Sequence, residues 1–374
     1  MSNEQLGTAP ATVIDEPSPS VRETVIAIWH RAMGPKGRHP NADLCQMGVG
    51  VKRLFRMLDE IEQTLGKKIP PGTALRLRTA EAIADAVVAD RWPAPSPLLL
   101  LKDGDDRPPL YMIAGGHRIV LEIIALSQAT QHGGKTWGLQ ARGLEGETPE
   151  METVEEMAAL FVEHLDGNPE EPVNIVGYSF GGEIAFEMAR LLHARKRKIG
   201  LIGLIDTGIA ERHWPLPMRL RYLANGTLSR VRTLTRAPAG GRVEALRSLM
   251  RPFINRVMGA FSYDPAFSES YEPELDPRIK VVKDLAIQAH ERYAPRPVEF
   301  PVVLFKSSRA HSDLADRVKM WRPSVRNLEI VEVGGSHTTM VLPPHVHGLA
   351  AEISARLVQS VPHREAAPRQ AAQA

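Results

Sequence analysis

Apolar and polar positions along the 374-residue chain follow two different rhythms. From residue 98 to about 360, short apolar runs alternate with stretches of helical period. PLYMIAG (109–115) and KTWGLQA (135–141) predict strands, and Val154, Met157, Ala158, Phe161 and Leu165 then recur at helical spacing. VNIVG (173–177) predicts a strand, 181–194 a helix, and LIGLID (201–206), PVVLFKS (301–307) and LEIVEVG (328–334) further strands, before a closing helix near 345–358. Strands alternating with helices imply right-handed crossovers and a doubly wound, mostly parallel sheet, an α/β domain. Residues 21–90 carry only the helical rhythm. Val21–Met33 sets Ile28-Trp29 on one face, and Val51, Leu54, Phe55, Leu58, Ile61 and Leu65 fall at i, i+3, i+4, i+7, i+10 and i+14. Gly66-Lys67-Lys68-Ile69-Pro70 ends that helix and Thr79–Val88 starts another, so this segment predicts a small all-α bundle.

The remaining segments read as connectors. Residues 1–20, rich in Pro, Ser, Thr and Ala, predict a flexible arm, 91–97 (RWPAPSP) a semi-rigid linker, and 361–374 a polar, Ala-rich tail. Residues 209–297 interrupt the α/β rhythm and read as a helical lid. Within it Arg212, Arg219, Arg221, Arg230, Arg232, Arg236, Arg242, Arg247, Arg251 and Arg256 face only Glu244 in sign. That run reads either as a solvated face or as a docking surface for an acidic carrier protein or for coenzyme A phosphates.

Composition narrows the function classes. Forty-six Lys+Arg against 44 Asp+Glu is too balanced for a whole-chain nucleic-acid or membrane binder. The lone Cys45 excludes an internal disulfide, and no His/Asp/Glu cluster shows metal-ligand spacing, so neither a metal nor a cofactor is expected. MSNEQLGTAP lacks the basic start and apolar core of a signal peptide, and no apolar run reaches spanning length, so the expected location is the cytoplasm.

Gly177-Tyr178-Ser179-Phe180-Gly181-Gly182, set between an apolar strand and a helix, carries the chemistry. This is the G-x-S-x-G nucleophile elbow of the α/β-hydrolase fold, in which a tight turn lifts the serine hydroxyl above the sheet at a helix N-terminus. A serine hydroxyl is a weak nucleophile and needs a base, and the base an orienting acid, in chain order Ser, Asp/Glu, His. His337 follows a strand in a glycine-loosened loop and is favoured over His345 and His347, which open the last helix. For the acid, both Asp206, ending LIGLID, and Asp313, after PVVLFKS, are open from the residues alone.

The segment from about 109 to 358 resembles the thioesterase domain of non-ribosomal peptide and polyketide synthetases. The likeness rests on PLYMIAGG, LQARGLEGETP (139–149), VNIVGYSFGGEIAFEMAR (173–190), LIGLIDT and GGSHTTMV (334–341). It implies that the acid is Asp206, giving Ser179, Asp206 and His337 as the triad. It also implies an oxyanion hole from the backbone N–H of Phe180 and a second N–H, best matched by Gly116, in a loop that here opens Ile113-Ala114 instead of the usual His-Pro or Pro-Gly.

The upstream bundle resembles an acyl or peptidyl carrier protein domain. Such domains carry phosphopantetheine on a serine at the start of their second helix, and counting back from Gly66 places that position at Val51, which has no hydroxyl. No serine occurs between residues 21 and 95, and eleven Lys+Arg against eight Asp+Glu give residues 21–90 a basic balance, whereas working carriers tend to be acidic. The expected activity is release of acyl or peptidyl thioesters from a partner's carrier protein in trans or from coenzyme A. A carboxylesterase with the same triad, and a non-catalytic docking protein, are the rival readings.

Overall fold

The computed structural model describes residues 20–39, 42–140, 143–144, 153–221, 276–309 and 316–359. The chain begins with the predicted bundle. Helix α1 (Val21–Met33) opens on a capping box, in which Ser20 Oγ accepts the Glu23 N–H at 3.3 Å and the Glu23 carboxylate accepts the Ser20 N–H at 2.8 Å. Helix α2 (Val51–Leu65) buries Leu54, Phe55, Leu58 and Ile61, and Gly66 ends it in the left-handed region at φ 66°. Trp29 is buried at the centre of the bundle and donates its indole N–H to Gly37 O at 2.9 Å. Helix α4 (Ala80–Ala89) is capped by Thr79. A helix the sequence pattern did not predict, α3 (Pro71–Leu77), follows the stop at Gly66, and its first residue is a proline whose fixed φ suits that position.

The bundle is tied to the α/β domain by backbone as well as side chains. Gly72 N–H donates to Leu144 O at 2.7 Å. Arg78, paired with Asp43 inside the bundle at 2.7 Å, donates to Leu100 O at 2.8 Å, and Arg76 reaches Ser96 O in the linker at 3.3 Å.

Seven strands form one sheet: β1 (Leu98–Lys102), β2 (Asp105–Ile113), β3 (Gly134–Leu139), β4 (Val173–Tyr178), β5 (Ile199–Ile205), β6 (Val302–Arg309) and β7 (Leu328–Ser336). Their order is β1-β3-β2-β4-β5-β6-β7, with β1 antiparallel to β3 and every other pair parallel. The antiparallel edge β1 is an addition to the predicted set, and β2 begins four residues earlier than the predicted PLYMIAG run. All six residues of β4 are buried, as expected for a central parallel strand covered on both faces.

Side chains alternate between two cores. Leu110 and Met112 join one core with α5 (Ile124–Ala129), α10 (Val346–Gln359) and the whole N-terminal bundle. Tyr111 and Ile113 join the other, with α6 (Val154–Glu163), α7 (Phe180–Ala194), the C-terminal half of α8 (Pro277–Arg292) and α9 (Arg317–Trp321). The chain runs from β2 to β3 on one side and then returns to place β4 on the other. That reversal between β2 and β4 is where open α/β sheets leave a crevice at the strand C-termini. Helix α8 is the long described element of the predicted lid. Arg212, Arg219 and Arg221 are described, whereas the seven arginines from 230 to 256 lie outside the described residues. Among the described residues no helix is long and apolar enough to cross a membrane.

Candidate functional site

The crevice is built around the turn from β4 to α7. Ser179 adopts φ 53° and ψ −119°, a sparsely populated conformation for a residue with a side chain, and its N–H is held by Ile205 O at 2.8 Å. The flanking glycines are required by contact. A Cβ on Gly177 would lie 2.1 Å from Gly181 O, and one on Gly181 would lie 2.3 Å from Ala114 O. The turn therefore packs β4, α7 and the end of β2 together without a side chain between them.

Asp206 stands at the C-terminal end of the neighbouring strand β5, also at positive φ (44°), and is 3% exposed. Its Oδ2 lies 2.7 Å from His337 Nδ1. Its Oδ1 accepts from Ser307 Oγ at 3.1 Å and from Ser307 N–H at 3.3 Å, while the Arg317 guanidinium stands 3.7 Å away. Burial alone would raise the Asp206 pKa. The hydrogen bond to His337, the Arg317 charge and the Ser307 N–H outweigh it and bring the carboxyl down to about 2. His337 follows β7 and is stacked on Tyr178, the residue before Ser179, with ring centroids 5.3 Å apart. The Tyr178 hydroxyl donates to His337 O at 2.9 Å, which fixes the backbone of the histidine loop to the elbow. The structure thus brings together Asp206 and His337, and stacks His337 on Tyr178, the residue before Ser179.

Ser179, Phe180, Gly116 and Gly208 line one cavity of about 190 Å³. Phe180 is the first residue of α7, where backbone N–H groups have no partner within the helix. Gly116 lies in the loop after β2, with open space where a side chain would stand. His345 packs its ring over Gly334 and Gly335 just before α10. Asp313 lies outside the described residues. Val51 is the first residue of α2, half-buried against the bundle core, with Gly50 at the N-cap and no side-chain cap.

A second histidine and carboxylate pair was not singled out by the sequence pattern. Glu183, in the first turn of α7, is fully buried, and its Oε1 bonds His290 Nδ1 at 2.9 Å. Burial raises the Glu183 pKa. One turn further on, buried Glu187 accepts from the Tyr293 hydroxyl at 3.2 Å and from Arg190 at 2.9 Å. The signal was present in GGEIAFEMAR: two glutamates four apart on a helix whose neighbours are nearly all apolar must be buried and therefore partnered.

Residues 114–357 match the thioesterase domain family, and residues 23–87 match the phosphopantetheine attachment site family. The chain is 23% identical over 359 residues to malpibaldin synthetase of Mortierella alpina, covering 94% of this chain and 6% of that protein. It is 28% identical over 197 residues to indigoidine synthase of Streptomyces lavendulae, covering 51% of this chain and 15% of that one. It therefore spans a small fraction of the length of these relatives. Among solved structures, the holo form of a four-domain nonribosomal peptide synthetase bound to AMP and glycine aligns with 96% of this chain and 27% of its own. The TM-score is 0.52 at 19% identity, a likeness of fold.

Proposed function

The chain belongs to the thioesterase domain family, and on that premise we propose that it releases acyl or peptidyl groups, by serine catalysis, from a carrier protein in trans or from coenzyme A within a biosynthetic assembly line. The observation that carries this reading is the 2.7 Å pair between Asp206 Oδ2 and His337 Nδ1, set beside the strained elbow of Ser179.

With Nδ1–H donated to Asp206, the neutral imidazole keeps the lone pair of Nε2 for a proton. As Ser179 Oγ bonds to the thioester carbonyl carbon, its proton passes to His337 Nε2 and the carbonyl oxygen becomes an oxyanion. Asp206 stays ionised and stabilises the imidazolium. The backbone N–H groups of Phe180 and Gly116 receive the oxyanion, a contribution of roughly 10²- to 10³-fold per donor. Collapse breaks the C–S bond, and the departing sulfur takes the proton from His337. Water, or an amine or hydroxyl of the acyl chain, then attacks the Ser179 ester, again losing its proton to His337, and Ser179 leaves reprotonated.

The N-terminal bundle enters this proposal as a scaffold. Although residues 23–87 match an attachment-site family, Val51 stands where the serine would start α2, and no serine occurs between residues 21 and 95. The acyl group therefore arrives on another carrier.

The test is hydrolysis of a panel of acyl thioesters, presented on coenzyme A and on a separate carrier protein, by wild type and Ser179→Ala. Turnover of the thioesters that vanishes in the variant is expected. Faster turnover of matched oxygen esters would make the protein a carboxylesterase, and inertness towards both classes would make it a docking protein.

A further inference from the structure

The cavity holding Ser179 has a second wall made by one helix face. Lys283, Ala286, Ile287 and His290 all line it, at i, i+3, i+4 and i+7 of α8, so a single stripe of that helix faces the nucleophile. The stripe is apolar in the middle and basic at both ends, which lie about 10 Å apart along the helix axis at the standard rise per residue. The acidic residues of this stretch, Asp284 and Glu291, fall on other faces of α8. No acidic side chain lines the cavity among the described residues.

His290 differs from an ordinary surface histidine because its ring is fixed from behind. Nδ1 is taken by Glu183 Oε1 at 2.9 Å, and the Glu183 side chain is fully buried with its second oxygen, Oε2, lacking any hydrogen-bond partner among the described residues. An isolated buried carboxylate is costly, and the group beside it that can compensate its charge is the imidazole, as imidazolium. Once Nδ1 is used, Nε2 is the nitrogen left for a ligand in the cavity.

We propose that this face of α8 selects acyl groups bearing a negative charge, with His290, held by Glu183, as the residue that pairs with that charge. The proposal rests on the thioesterase reading above. The chemical class it names is an acyl chain with a carboxylate, or an equivalent anion, distal to the thioester carbonyl. A fixed N–H donor on a partly desolvated ring recognises such a group by a charge-assisted hydrogen bond, and the apolar Ala286–Ile287 middle accommodates the methylenes between.

The charges around the ring favour its protonated form. Burial lowers the His290 pKa, but the Glu183 charge and hydrogen bond, with Glu291 on the same helix, outweigh it and the opposing charge of Arg317 on α9, and the net direction is upward. His213, in the segment after β5, also feels the His290 charge and is itself shifted down, chiefly by burial.

The experiment compares N-acetylcysteamine thioesters of succinate, glutarate and adipate with those of the neutral acids of equal length, so that the only charge is on the acyl chain. The readout is the ratio of kcat/KM for the charged and neutral member of each pair. For at least one length, wild type is expected to favour the carboxyacyl chain by about tenfold or more, in line with one charge-assisted hydrogen bond. In His290→Gln that ratio falls towards one. Wild type alone supplies a second readout. The upward shift keeps the His290 proton to higher pH, so the preference is greatest at pH values just above those at which the acyl carboxyl ionises, and it declines as pH rises further. Groups that serve the shared chemical steps act on both members of each pair, so their effect cancels in the ratio. A ratio near one at every length, or a preference unchanged by both His290→Gln and pH, overturns the proposal while leaving serine catalysis intact. Turnover that survives in Ser179→Ala would instead overturn the reading beneath it.

Discussion

Arg278, the second residue of α8, lies over the ring of Phe55 in α2, with its guanidinium carbon 4.1 Å from the ring centroid, and pairs with Asp59 one turn further along that helix at 2.9 Å. Helix α8 is thus held at its N-terminal end by the bundle, while its C-terminal half presents Ala286, Ile287 and His290 to Ser179. The bundle therefore helps to fix one wall of the cavity.

Arg278→Ala is therefore expected to weaken the join between the bundle and the α/β domain. The cation over the ring and a half-exposed ion pair together contribute about 1 kcal/mol. Urea unfolding of the full chain should show either a lower midpoint or a separate early transition of the bundle. An unchanged single transition would mean that this contact does not couple the two parts.

Gly181→Ala places a methyl 2.3 Å from Ala114 O, against backbone that cannot step aside. The expected result is loss of both stability, by several kcal/mol, and turnover, because β2 and the elbow must separate. Thermal unfolding and thiol release, measured side by side, check it. A variant with wild-type melting temperature and rate would show that the elbow is looser than described.

Asp206→Asn keeps the shape of the side chain but lets it donate to His337 Nδ1, which fixes the wrong tautomer. A drop in kcat of roughly 10³- to 10⁴-fold is expected. The same carboxyl makes a pH prediction for stability. Its folded pKa is depressed to about 2, so its contribution is fully present above the ordinary carboxylate pKa and is lost as pH falls towards that value. The difference in unfolding free energy between wild type and Asp206→Asn should shrink as pH is lowered through this window. A difference that is constant with pH would mean that Asp206 is not held ionised by its neighbours.

Incubation with coenzyme A and a phosphopantetheinyl transferase is expected to leave the intact mass unchanged, since Val51 offers no hydroxyl at the start of α2. A gain equal to the arm, mapped to any residue of the bundle, would restore the bundle to a working carrier.

Much of this arrangement is legible in the sequence, for identifiable reasons. Parallel strands buried on both faces, such as β4, are continuous apolar runs, and the elbow glycines sit where only a hydrogen fits, so both leave marks in the residues. Strand β1 left none: LLLLK has no alternation, and its antiparallel pairing with β3 depends on tertiary context. Helix α3 was hidden because Pro70-Pro71-Gly72 reads as a break, although Pro71 is the first residue of the helix. Asp206 and Asp313 were equal candidates by position alone, and the resemblance to a family, not spacing, chose between them. The Glu183–His290 contact joins residues 107 positions apart, and a glutamate in a helix reads as solvated until every neighbour is seen to be apolar.

The most direct test of the central claim is labelling of the whole chain with a fluorophosphonate, followed by peptide mapping. The account predicts one stoichiometric adduct on Ser179, formed slowly or not at all in His337→Ala, where the hydroxyl has lost its base. An adduct on a different serine, or labelling of Ser179 that proceeds equally well without His337, would contradict it.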